Sequence, residues 1–224
     1  MAKPELPLPG KIFPRAYVLS RALKILVLVS GNGSNLKALI DAEAAGEFCN
    51  GSITAVISSK GDAFALERAK AAGIPAFVEK PDLSLPKSER RRELSNRILS
   101  HCRKMEIDLI VHAGFLSILS GEIIEEYSGR MINIHPALLP KFGGQGMYGR
   151  NVHEAVLAAG ETESGCTVHL VDAGTDTGAI LLQRKVPVLE NDTPETLAER
   201  VLKEEHIAIV EGVKMMIGRL IKGA

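Results

Sequence analysis

The chain alternates short apolar runs with longer stretches whose apolar residues recur at helical spacing. Lys24–Val29 is apolar from Ile25 onward, the pattern of a central parallel strand covered on both faces. It leads into Ser30-Gly31-Asn32-Gly33-Ser34-Asn35, after which Leu36, Leu39 and Ile40 fall on one face of an expected helix. Gly46–Asn50 reads as a turn, Ser52–Ile57 as a second strand and Ala63–Ala72 as a helix closed by Gly73. Pro75–Val78 is a short third strand, and Pro81–Pro86 is a loop. Ser88–Met105 is a charged helix whose buried stripe is Leu94, Ile98, Leu99 and Cys102. A strand over Asp108–Ala113, a short helix over Leu119–Tyr127 and a strand over Met131–Ile134 follow. Strand-helix-strand alternation at this spacing predicts an α/β protein, with a mostly parallel twisted sheet and helices on both faces.

The texture changes after Pro140. Lys141–Arg150 holds four glycines with Met147 and Tyr148 and reads as a mobile loop. Asn151 is placed to cap a helix through Ala159, closed by Gly160. Cys166–Val171 and Ala179–Val188 read as strands joined through Asp172-Ala173-Gly174-Thr175-Asp176-Thr177-Gly178. Pro194 suits the first turn of a last helix that runs to roughly Ile221. Residues 1–23, with four prolines, read as a leader or arm without the continuous apolar stretch of a signal peptide. Residues 24–224 then form one domain, Rossmann-like to about 130, with a second half that continues the sheet.

Composition narrows the function. The 224 residues carry 27 Lys+Arg against 27 Asp+Glu, so no global charge favours a nucleic acid or a membrane surface. Aromatic residues make up only 4%, which leaves little for base stacking. No stretch is long enough to span a bilayer. Three scattered cysteines, Cys49, Cys102 and Cys166, suit a reducing cytoplasm rather than a disulfide framework.

Three stretches carry candidate chemistry. Ser30–Asn35 joins a buried strand to a helix N-terminus, where glycines and free N–H groups favour an anion such as phosphate. The bland alternative is a tight structural turn. A dinucleotide fits poorly, because the third glycine of the fingerprint and a ribose-binding acid after the second strand are both missing. Asn133 and His135, two apart in an extended strand, share one face at its C-terminal edge, where open parallel sheets bind ligands. Pro136 then ends the strand. Asn133 can donate to a developing oxyanion, and His135 can donate as imidazolium or accept a proton. Asp176 and Asp172 lie among glycines, where turn chemistry alone would account for them. A carboxylate brought near an imidazole would orient it and favour its charged form. The other histidines show no metal-ligand spacing; His169 reads as a structural strand residue, Glu204-Glu205-His206 as a solvated helix face and Arg90-Arg91-Arg92 as surface.

Taken in order, the Ser30–Asn35 loop, Asn133-Ile134-His135-Pro136 with Leu138-Leu139-Pro140, the Asp172–Gly178 loop followed by Ile180-Leu181-Leu182-Gln183, and Glu205-His206 on the last helix resemble the phosphoribosylglycinamide formyltransferases, folate-dependent enzymes of purine synthesis. The resemblance runs from about Lys24 to the C-terminus. It implies that Gly33, Ser34 and Asn35 hold the phosphate of glycinamide ribonucleotide, that Glu205 contacts the same substrate beside Leu202, and that Asn133, His135 and Asp176 are the catalytic trio. It places the co-substrate 10-formyltetrahydrofolate in a cleft lined by Arg91, by Leu116-Ser117-Ile118-Leu119, by Asn133 and by Asp172 and Asp176. No metal is implied. The chain departs from the pattern at Ala137, where serine is usual, at Leu202, where a basic or amide residue is frequent and Lys203 stands next to it, and in the longer Lys141–Arg150 loop.

The activity this implies is direct formyl transfer to the ribonucleotide amine in the cytoplasm, through an oxyanion held by Asn133 and His135, by a monomer or a homodimer. The alternatives are a formyltetrahydrofolate hydrolase, a methionyl-tRNA formyltransferase, which would be longer and more basic, and a non-catalytic phosphate-binding module.

Overall fold

A computed structural model describes residues 21–222. Residues 1–20, most of the expected leader, lie outside the described residues. The elements in chain order are β1 (Leu23–Val29), α1 (Ser34–Ala44), β2 (Gly51–Ser58), α2 (Phe64–Ala71), β3 (Ala76–Val78), α3 (Lys87–Met105), β4 (Leu109–His112), α4 (Glu122–Glu126), β5 (Met131–His135), α5 (Arg150–Ala158), β6 (Glu163–Leu170), β7 (Ile180–Pro187) and α6 (Pro194–Lys222). The strands form one sheet in the order β3-β2-β1-β4-β5-β6-β7. Pairing is parallel from β3 through β5 and antiparallel from β5 to β7.

The strand pattern sets the two layers. Ile25, Val27 and Val29 of β1 point into a core shared with Leu36 and Leu39 of α1, Ala65 and Ala69 of α2, Val156 of α5, and Leu197, Val201, Ile209 and Met216 of α6. Leu26 and Leu28 alternate to the opposite core, with Ile110 and Met131, under Leu94, Ile98 and Leu99 of α3 and Ile123 of α4. Each of these side chains is fully or almost fully buried, and each Val, Leu, Ile or Met among them contributes about 1.5–3 kcal/mol against the entropy of ordering the chain. Helices therefore cover both faces, as the sequence predicts.

Two local expectations are corrected. The helix expected over Leu119–Tyr127 is only Glu122–Glu126, because Ser120 N–H donates to Ser95 Oγ on α3 (2.9 Å) and Gly121 takes a non-helical conformation (φ 78°, ψ −148°). Asn151 does not cap α5. Gly149 precedes the helix, Arg150 is its first residue, and the Asn151 amide donates to the Gly146 carbonyl (3.1 Å).

The start of α6 is tied down by Asp192. Its carboxylate accepts from Leu189 N–H (2.7 Å), Thr196 Oγ (2.8 Å) and both guanidinium nitrogens of Arg200 (2.6 and 2.8 Å), and its side chain is only 3% exposed. Thr193 and Thr196 exchange backbone-to-hydroxyl bonds in a capping box. The Arg200 bond, followed by those from Leu189 and Thr196, holds the Asp192 carboxyl well below the ordinary aspartate value of 3.8. A depressed folded-state value means that this stabilisation is present above 3.8 and is lost as pH falls through the folded value. Asp192→Ala is therefore expected to lower stability at neutral pH by about 1–2 kcal/mol, limited by the solvent-facing side of Arg200. Thermal melts at pH 7 and below pH 3 check this, with the difference between variant and parent shrinking in acid.

Candidate active site

The C-terminal ends of β4 and β5 open into a cleft of about 850 Å³, roomy enough for a substrate and a co-substrate. Asn133 and His135 sit on its floor, on the sheet face covered by α3 and α4. Pro136 turns the chain away, and the next residues are clamped. Thr167 Oγ donates to the Ala137 carbonyl (2.6 Å) and accepts from Leu139 N–H (3.0 Å), while the Gln183 amide donates to the Leu139 carbonyl and to Thr167 Oγ (2.9 Å each). Ala137, where the resemblance anticipates serine, is fully buried in this clamp.

His135 is 3% exposed, and its Nε2 lies 2.8 Å from the Phe142 carbonyl. A carbonyl only accepts, so Nε2 carries hydrogen and Nδ1 is the nitrogen left for chemistry. Nδ1 lies 3.7 Å from Asp176 Oδ2, close enough for strong electrostatic coupling and too far for a committed hydrogen bond. Asp176 is oriented by its own backbone, in the left-handed region (φ 58°), and by Gly144 N–H, which donates to Oδ2 at 2.9 Å. The loop carrying it doubles back over the sheet because Gly178 packs against the Leu170 carbonyl, where any Cβ would collide. Asp172 Oδ1 accepts from Gly174 N–H (3.0 Å) and Thr177 Oγ (2.7 Å), an Asx turn that shapes the loop from within. Both aspartates line the cleft.

The reading of His169 as a merely structural residue needs correction. Antiparallel pairing sets His169 opposite Asn133, and the Asn133 amide donates to His169 Nε2 at 3.0 Å. His169 Nδ1 donates in turn to the Leu170 carbonyl (2.8 Å), so Nε2 is the acceptor of a neutral ring. Burial also lowers the His169 pKa. One Asn133 N–H is thereby fixed and the other is free to face a ligand. Asp176 Oδ1 lies 3.6 Å from the same His169 nitrogen, which links the trio to a fourth side chain. The signal in the sequence is His169's place in an alternating strand, two residues after Thr167. Its partner depends on strand register, which local pattern does not set.

Asn35 and Glu205 line the same cleft. They are 170 positions apart in sequence and joined by a bond from the Asn35 amide to Glu205 Oε2 (2.8 Å). Glu205 lies on α6, which packs against α1, so it is not part of a solvated face. Its carboxyl is enclosed, and burial raises its pKa above the ordinary glutamate value while the Asn35 bond partly opposes the shift. Asn35 Oδ1 is buried without a protein partner. Gly33 and Ser34 immediately precede Asn35 but do not line the cleft. Gly33 is in the left-handed region (φ 75°), and a Cβ there would come within 2.6 Å of the Ala65 side chain, so close packing of the loop on α2 requires glycine. Arg68 fixes the same loop through Asn32, donating to its carbonyl (2.9 Å) and its side-chain oxygen (2.8 Å).

Of the three adjacent arginines, Arg91 lines the cleft, as do Leu116, Ser117, Ile118 and Leu119. Arg90 turns instead to the Leu83 and Leu85 carbonyls (3.3 and 3.0 Å). Leu202 lines the cleft beside Glu205, whereas Lys203 is exposed outside it. Among the described residues no group of three or more His, Cys, Asp or Glu side chains is arranged to hold a metal ion.

The chain matches the formyl transferase model over residues 23–213. It is 41% identical over 185 residues to phosphoribosylglycinamide formyltransferase of Escherichia coli (strain K12), covering 82% of each chain. The chain belongs to the formyl transferase family, among the phosphoribosylglycinamide formyltransferases. Its fold is that of solved family members. It superposes on glycinamide ribonucleotide transformylase 1 from Symbiobacterium toebii with a TM-score of 0.80 at 36% identity, covering 92% of this chain and 93% of that one. The chloroplastic phosphoribosylglycinamide formyltransferase of Vigna unguiculata is 42% identical over 90% of this chain, which spans 63% of that relative's length. The trifunctional purine biosynthetic proteins are far longer, and the chain spans 14% of the one from Drosophila melanogaster. The family match thus spans nearly all of the described residues.

No helix among the described residues is long and apolar enough to cross a membrane.

Proposed function

We propose that the chain transfers the formyl group of 10-formyltetrahydrofolate to the amine of glycinamide ribonucleotide, in purine synthesis. The observation that carries this reading is that Asn133, His135 and Asp176 line the same cleft as the bonded pair Asn35 and Glu205. The Ser30–Asn35 loop and the N-terminus of α1 favour the ribonucleotide phosphate at Gly33, Ser34 and Asn35, and Glu205 accepts from the sugar hydroxyls. The folate lies along Arg91, Leu116–Leu119 and the Asp172–Asp176 loop. Buried polar atoms without protein partners on cleft-lining residues, Asn35 Oδ1 among them, fit polar ligands.

The folate supplies a formyl carbon open to attack by the amine. Asn133 offers its free amide N–H to the formyl oxygen, and His135, with a proton on Nδ1, offers a second donor from the same face of β5. Asp176, 3.7 Å from the ring, opposes the imidazolium charge and takes the amine proton, returning one to the leaving nitrogen through a water carried between amine and folate. The site's burial leaves these dipoles fixed before reaction. Three unbridged cysteines, two of them buried, suit a reducing cytoplasm, and a monomer or homodimer is the proposed assembly.

The test is to incubate the protein with the formyl folate, with and without glycinamide ribonucleotide. Folate release that requires the amine supports transfer. Release without it indicates hydrolysis, and no release with retained phosphate binding indicates a binding module.

Glu205 supplies a second check. Its folded-state pKa is raised by burial, so the folded protein holds a proton that the unfolded chain releases, and stability falls as pH rises from the ordinary glutamate value through the raised one. Glu205→Gln removes that cost. It is expected to raise the melting temperature of the free protein at pH 7 and to increase the ribonucleotide KM roughly tenfold through loss of a charge-assisted bond.

A further inference from the structure

His112 is a buried polar group that the catalytic scheme does not use. It ends β4, lines the cleft, is 6% exposed and pairs in register with Asn133, which pairs in turn with His169. Residues in register across neighbouring strands share a face, so His112, Asn133 and His169 form a polar row across three strands. Asn133 and His169 bond each other, whereas His112 Nε2 is buried with no protein partner. The ring is held edge-on to Phe115 (centroids 5.5 Å apart, 73°), so its direction is fixed by packing rather than by a hydrogen bond. Burial, with His169 beside it, keeps the ring neutral, with a pKa lowered to about 3. A neutral imidazole has one donor nitrogen and one acceptor nitrogen. Its face of the sheet carries α3 with Arg91 and the Leu116–Leu119 segment, whereas Asn35 and Glu205 belong to helices on the opposite face.

We propose that His112 is a specificity residue for the folate, hydrogen-bonding the donor- and acceptor-bearing edge of its bicyclic nitrogen heterocycle beside Asn133. This rests on the formyltransferase reading above. A polar nitrogen left unpaired in the free protein costs stability, and the ligand that satisfies it is selected over one that lacks the matching group.

His112→Leu and His112→Gln separate this role from a structural one. In His112→Leu the folate KM is expected to rise roughly five- to tenfold while the ribonucleotide KM moves less than about twofold, the scale of one neutral hydrogen bond. The melting temperature of the free Leu variant holds or rises, and the shift induced by tetrahydrofolate shrinks. His112→Gln, which keeps a donor and an acceptor, recovers part of the folate KM. An unchanged folate KM and an unchanged folate-induced shift in His112→Leu overturn the proposal, as does a fall in melting temperature with both KM values intact. If the unaltered protein neither binds tetrahydrofolate nor transfers formyl, the functional reading fails and this one with it. Failure confined to the variants removes His112 alone.

Discussion

His135→Ala is expected to lower kcat for formyl transfer at least a hundred- to a thousandfold, with ribonucleotide binding and the fold retained. The size follows from what the ring does. It is wedged between the Phe142 carbonyl at 2.8 Å and the Asp176 carboxylate at 3.7 Å, so its free nitrogen is aimed before any ligand arrives. Loss of one pre-aimed oxyanion donor typically costs this much, because no protein dipole reorganises to replace it. Alanine also leaves a small buried void and an unpaired carbonyl, which together cost about 1–3 kcal/mol of stability. A melting curve and a ribonucleotide titration beside the rate measurement separate that loss from loss of chemistry.

Asp176→Asn is expected to lower kcat roughly a hundredfold or more, with a smaller change in the ribonucleotide KM. Asparagine is the informative replacement. Its carbonyl can still accept from Gly144 N–H, and its short polar side chain tolerates the left-handed backbone at this position (φ 58°). The loop therefore stays in place and only the charge is removed. What the proposed mechanism loses is the negative charge beside His135 and the acceptor for the amine proton. Near-normal turnover in this variant would remove Asp176 from the mechanism.

Much of this arrangement is legible in the sequence because it is local. The apolar run of β1, the period of α3 and the two-residue spacing of Asn133 and His135 are set by backbone geometry, and the structure keeps each of them. The short α4 and the displaced cap of α5 were hidden, since each boundary depends on a distant or loop-bound partner, Ser95 in one case and Gly146 in the other. The same reason hid His169 and His112. Each reads alone as a histidine in a strand, and only the register of β4, β5 and β6 lines them up with Asn133. Glu205 shows the limit most clearly. Local pattern makes Glu204-Glu205-His206 a solvated helix face, yet Glu204 pairs with Arg184 while Glu205 turns inward to Asn35. The resemblance singled out Glu205 because it compares whole chains, which local periodicity cannot do.

In the proposed mechanism Asn133 and His135 act together on one developing charge. Its most direct test is kcat for amine-dependent formyl transfer, at saturating substrates, in Asn133→Ala, His135→Ala and the double variant. Each single variant is expected to lose at least roughly a hundredfold, and the double variant to be little worse than the poorer single one, since the two donors serve one oxygen. Turnover within about tenfold of the parent in either single variant, or losses that multiply in the double, would contradict it.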